Sequence, residues 1–228
     1  MKNIIIIFVL NATISFGQEV FKLRIVPTWD DEPFTLDHSY SLGNQDSISF
    51  DVLKFYISGI SLIMDDSVVI SPDDGPYLID AEDTRTYDIK QTISSLGQVN
   101  KISFYLGIDS MTNVSGAMGG DLDPTKGMYW TWQSGYINFK LEGKTSLCPA
   151  KNNAFTYHIG GYKQPNYALQ KIALPVHVQG HDLKVKLDIK ALVNSIDFAQ
   201  LHHIMSPSAA AVKLAEQLSK HFYIHSSL

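Results

Sequence analysis

Cysteine is almost missing: Cys148 is the only one in 228 residues. A single cysteine excludes an internal disulfide, so stability has to come from packing. Cys148 itself reads as a small, partly buried apolar residue. Long apolar runs are missing too. The wholly apolar stretch Ile4–Leu10 is too short to span a bilayer, and no later segment looks transmembrane. An excess of basic residues is absent. The formal net charge is −5, which argues against a nucleic-acid partner, where a basic face is expected. There is no Gly-x-Ser-x-Gly elbow, no His-Glu-x-x-His pair and no phosphate loop. Without a catalytic constellation, an enzyme is not expected. No internal repeat, low-complexity segment or interdomain linker divides the chain.

What is present begins with an export signal. Lys2 precedes the Ile4–Leu10 run, and Ser15 and Gly17 are small residues at the positions a signal peptidase reads. The expected organisation is a signal peptide over residues 1–17 and one domain over 18–228, periplasmic or secreted. The residue directly after the cut site is Gln18, not cysteine, so a lipid anchor is not expected.

The domain reads as many short strands separated by turn residues. Glu19–Pro27 alternates as a first strand. Ser47–Met64 alternates over a long span, and Gly59 within it suggests a bulge or bend. Val99–Ile108 and Phe155–Ile159 are further strands. Tyr167–Val178 and Leu183–Ile189 read as a pair joined by a turn at 179–182. Ser208–Phe222 is the clearest helix, with Val212, Ala215, Leu218 and Phe222 at helical spacing. The expected fold is mainly β: an antiparallel β-sandwich with a C-terminal helix.

Two of the three tryptophans, Trp130 and Trp132, fall in the run Gly127–Lys140, which reads as one long strand. Residues two apart on a strand share a face, so the two rings are expected side by side. Residues 109–124, just upstream, form a long, polar, glycine-containing loop; loops of that length in a compact domain are often functional. Taken alone, the tryptophans read equally as core aromatics.

The run from Leu106 to Gly143, with its Gly-Met-x-Trp-x-Trp-x-x-Gly-Tyr signature, resembles the MbnP-like copper-binding proteins encoded beside methanobactin operons. Lys54–Ile63, Phe155–Tyr162 and His202–Ser208 fit the same family in the same order. The resemblance implies a copper site in which the first tryptophan, here Trp130, is oxidised to kynurenine by a dihaem peroxidase-like partner. Trp132 would be its packing neighbour. Indole nitrogen is a donor only; ring opening would free an aryl amine and a ketone. Imidazole suits copper as co-ligand. His158 matches the family's strand histidine, His203 is the second candidate ligand, and His202 and His38 are substitutes. Met205 would offer a soft thioether that favours Cu(I). His177, His181, His221 and His225 read as surface residues. One position departs from the family: Val114 follows Asn113 where some members carry a histidine.

Asp109, Asp121 and Asp123 read as a solvated loop rather than a cation site, since their spacing does not match an EF-hand. Asn113-Val114-Ser115 is a glycosylation sequon by pattern. Two functions follow: a copper-binding protein for copper homeostasis or scavenging, or a metal-free recognition module that binds glycan or protein through the Tyr129–Tyr136 surface.

Overall fold

The computed structural model describes residues 19–64, 67–70, 75–93, 99–131, 133–176 and 181–224. The segment expected to be a signal peptide, along with Trp132, His177 and His225, lies outside these residues.

Two sheets face each other. The larger runs in the order Gln170–Pro175, Lys101–Leu106, Asp46–Met64, Gly135–Thr145, Ala154–Gly160 and His203–Ile204. The smaller centres on Glu19–Trp29, flanked by Asp182–Asp188 and Asp88–Ile93. Between them lies the main core. On the large sheet it takes Leu53, Phe55 and Ile57 from the central strand, Phe139 and Leu141 from the next, and Phe155, Tyr157 and Ile159 from the third. Alternation sends Lys54, Tyr56, Lys140, Glu142, Thr156, His158 and Gly160 to the opposite, outer face. This outer face carries the candidate site.

The long strand Asp46–Met64 bends as its glycine suggests. Gly59 has φ 55°, and pairing with Lys101–Leu106 shifts register between Ser58 and Ser61. A Cβ at Gly59 would lie 2.8 Å from the Tyr105 ring, so close approach as well as conformation requires glycine.

Three sequence expectations are corrected. Residues 127–140 are not one strand. Tyr129–Thr131 pairs antiparallel with Gly135–Thr145, with Gln133 and Ser134 in the turn and Gly135 at φ 73°. A β-branched or aromatic run looks like a strand whether it is continuous or folded back; the left-handed glycine makes the difference. Second, Gln170–Pro175 and Asp182–Asp188 are not a hairpin. They belong to different sheets, the first pairing with Lys101–Leu106 and the second with Glu19–Trp29. The fold itself is the expected mainly antiparallel sandwich, in which Asp182–Asp188 runs parallel to Glu19–Trp29. Third, the C-terminal helix is Ala209–Leu218, capped by Ser208, whose side chain accepts from the Ala211 amide. Phe222 is strand, not helix: it pairs with Leu187 and sets its ring edge against Phe55 and Phe104. Burying a phenyl ring between sheets contributes about 1.5–3 kcal/mol, enough to end the helix a turn early.

Candidate metal centre

The long loop is a packed cap on the outer face. Asp109 caps the short helix Ser110–Val114 through the Thr112 amide (2.9 Å) and hydroxyl (2.6 Å). Asn113 is buried. Its Oδ1 accepts from the Tyr136 amide at 2.8 Å, and its Nδ2 donates to the carbonyls of Ile108 and Asp109. The Tyr136 hydroxyl donates to the Leu122 carbonyl and accepts from the Met118 amide, and the Tyr56 hydroxyl donates to Asp121 O. The Asp121 carboxylate takes the Leu78 amide and Lys126 Nζ; Asp123 caps the turn Pro124–Lys126. All three loop aspartates therefore serve backbone caps and cross-links. Asn113 is a structural amide with every group bonded, so the sequon pattern does not mark an accessible glycan site.

Beneath this cap is a second apolar cluster, Tyr56, Leu78, Ile108, Leu122, Met128, Tyr136 and Ile137, with Tyr129 and Trp130 packed on it. Tyr136 is buried there, so the surface imagined for glycan or protein recognition does not include it.

The Trp130 ring abuts the strand at Gly160. A Cβ at Gly160 would stand 2.8 Å from Trp130 Cζ3 and 3.2 Å from Cη2, so the six-membered ring occupies the space a side chain would fill. Gly160 and His158 alternate onto the same face of the strand Ala154–Gly160, about 7 Å apart along it. Trp130 is thus set against the residue two positions from His158, on the same face of that strand. The indole Nε1 and the His158 Nδ1 are both buried without a hydrogen-bond partner. Buried polar atoms are nearly always bonded, so each orphan marks its residue out.

His158 is held on its other side. Its Nε2 is 2.6 Å from Glu142 Oε1, and the same oxygen is 3.3 Å from Lys140 Nζ. Burial pushes the imidazole below its ordinary pKa; the bond to Glu142 opposes this, while the Lys140 and His203 charges add to it. Burial would raise the Glu142 carboxyl, but the His158 bond and the Lys140 ammonium outweigh it and hold it below its ordinary value. The imidazole is thereby kept neutral near pH 7, the form a metal requires.

A family model described as MbnP matches residues 18–206. The chain belongs to the MbnP family. Among solved structures it is similar to MbnP from Methylosinus trichosporium, at 14% identity and a TM-score of 0.62, over 86% of this chain and 87% of that one. At that identity the likeness is one of fold. None of the curated proteins matches.

On this MbnP fold the other candidates divide. His203 is exposed and pairs with Thr156 across the parallel edge strand, close enough to influence His158. His202 is half-buried, and its Nδ1 is a further buried orphan. Met205 is exposed beyond them. His38 is elsewhere, on the surface against the Tyr40 ring. Val114 is 68% exposed, so the position where some relatives carry histidine is on the outside of the loop helix. His181 pairs with Glu19 at the surface, whereas His221 is half-buried rather than a surface residue. Cys148 is buried in the main core with Sγ against the Ala154 carbonyl. Trp132 lies outside the described residues, so its place as packing neighbour has no structural description. Among the described residues no three His, Cys, Asp or Glu side chains converge as a ready-made metal cage. Sequence reasoning overlooked Glu142 and Lys140. They sit two residues apart on a strand adjoining the one that carries His158, a spacing that signals only a shared face.

Proposed function

We propose that this MbnP-family chain is an exported, non-enzymatic copper-binding protein. Copper is its cargo, held as Cu(I) at the Trp130–His158 patch after a dihaem peroxidase-like partner has oxidised Trp130 to kynurenine. The observation that carries this reading is the Trp130 ring seated at Gly160, two residues from His158 on one strand face, with Trp130 Nε1 and His158 Nδ1 each buried without a hydrogen-bond partner. The donor chemistry fits. An intact indole has no lone pair to give, whereas a kynurenine amine or ketone does. His158 supplies neutral imidazole, and His203 and His202 on the neighbouring edge are the reserve nitrogen donors. Trp130 is half-buried rather than sealed, so an oxidant can reach it. Export rests on the Lys2 and Ile4–Leu10 signal; no helix among the described residues is long and apolar enough to cross a membrane.

The test is co-expression with and without a dihaem peroxidase-like enzyme. Peptide mass spectrometry is expected to place the oxidation on Trp130 and not on Trp132, and purified oxidised protein is expected to retain copper. Equal copper retention by unoxidised protein would refute the kynurenine mechanism. Absence of copper from oxidised protein would refute the function.

A further inference from the structure

We propose that Glu142 is a positioning residue: it locks His158 in the tautomer that carries its proton on Nε2, so the chain presents Nδ1, not Nε2, to a ligand. The extension to copper rests on the function proposed above; the tautomer itself does not.

The geometry leaves one consistent arrangement. Nε2 is 2.6 Å from Glu142 Oε1, the length of a charge-assisted bond. An ionised carboxylate accepts only, so Nε2 must donate. Lys140 Nζ lies 3.3 Å from the same oxygen and also reaches the Gly127 carbonyl at the entrance to the Trp130 hairpin. The same carboxylate oxygen thus meets two donors, His158 Nε2 and Lys140 Nζ. The reverse tautomer would set the Nε2 lone pair against the carboxylate and leave an N–H stranded at Nδ1. Nδ1 is buried without a partner, and His158 is 7% exposed. A proton there would cost the full desolvation of an unmatched donor; a lone pair there costs less and is free to bind. Glu142 is on Gly135–Thr145, His158 on Ala154–Gly160, and Lys140 is directly opposite His158 in the ladder, so the arrangement is built into sheet register. Outer partners that donate to or accept from a ligating imidazole fix its orientation and basicity.

Long-range proton–nitrogen NMR on metal-free, ¹⁵N-histidine-labelled protein at neutral pH reads the tautomer directly. His158 is expected to show a protonated Nε2 and an unprotonated Nδ1. A proton on Nδ1, or an even mixture, would overturn the proposal. Glu142→Ala is expected to collapse the preference to a mixture. Glu142→Gln should restore it, because Lys140 holds the amide oxygen toward His158. A pure Nε2–H tautomer in Glu142→Ala would remove Glu142 from the role. If the alanine variant fails to fold, the wild-type and glutamine spectra decide the matter. In protein oxidised at Trp130, added Cu(I) should shift the Nδ1 signal. Glu142→Ala should lower retention against a competing chelator roughly 10–100-fold, with recovery in Glu142→Gln. A Cu(I) shift at Nε2 would overturn the assignment. Oxidised wild-type protein that holds no Cu(I) would refute the copper function while leaving the metal-free result to stand.

Discussion

The ring of Trp130 rests directly on the backbone of Gly160. A methyl group placed there would be 2.8 Å from Cζ3 and 2.6 Å from the Tyr136 carbonyl. Neither neighbour is a flexible chain end: one is a ring, the other sheet backbone. Gly160→Ala is therefore expected to lift the indole while the rest of the sandwich folds, at a cost of about 1–3 kcal/mol for overpacking. Denaturant titration would give the stability change, and copper retention by the co-expressed variant should fall with it. A variant as stable as wild type, with unchanged retention, would show that the ring is not seated on this strand.

Trp130→Phe keeps an aromatic ring on the second apolar cluster but removes the nitrogen and the oxidisable indole. Stability should drop by roughly 1–3 kcal/mol, as for other large-to-smaller changes. Copper binding should be lost while circular dichroism is unchanged. His158→Ala should also reduce retention. Unaltered binding in Trp130→Phe would return the residue to an ordinary packing role.

Asn113 ties the loop cap to the Trp130 hairpin by bonding the Tyr136 amide and two carbonyls. Asn113→Ala strands buried backbone groups, at about 1–3 kcal/mol for each one left unmatched. Hydrogen exchange over residues 109–128 should accelerate more than exchange in the central strand. Uniform acceleration would mean that the loop is not a separate cap.

Asp109 provides the pH dependence. Burial pushes its carboxyl up, but the Thr112 hydroxyl and amide, with further backbone donors, outweigh this and hold it below its ordinary value. A carboxyl lowered on folding stabilises fully above the unfolded value, and the stabilisation is lost as pH falls through the folded one. Acid should therefore loosen the loop helix below the ordinary aspartate range. Asp109→Asn keeps an acceptor without the charge and should remove that acid step. Exchange at the Thr112 amide against pH is the measurement, and an identical profile in both proteins would contradict the cap.

Export makes a simple prediction. The amino terminus of protein recovered from the periplasm or medium should be Gln18 or a near neighbour. Exported protein that keeps Met1 would show that residues 1–17 are not removed.

The sequence by itself determined the family and the strand-rich class. Period-two alternation shows which side chains share a face, and a Trp-x-Trp signature beside a glycine-containing loop is specific enough to name relatives. It also placed the bend of the long strand at Gly59 and the start of the C-terminal helix at Ser208, because both are local chemistry. Tertiary structure decided the rest. Gly135 in the left-handed region folds what reads as a single strand into a hairpin. The strands on either side of residues 177–180 part into different sheets, a choice made by partners 64 or more residues away in the chain, as in Gln170 opposite Leu106. Phe222 leaves the helix because two phenylalanines from other strands offer it a better place. Glu142 and Lys140 gain their meaning only from ladder register, which sets Lys140 opposite His158 and brings Glu142 to its Nε2. Periodicity along one strand carries no information about which residue of another strand will stand beside it; packing two sheets around one core supplies that.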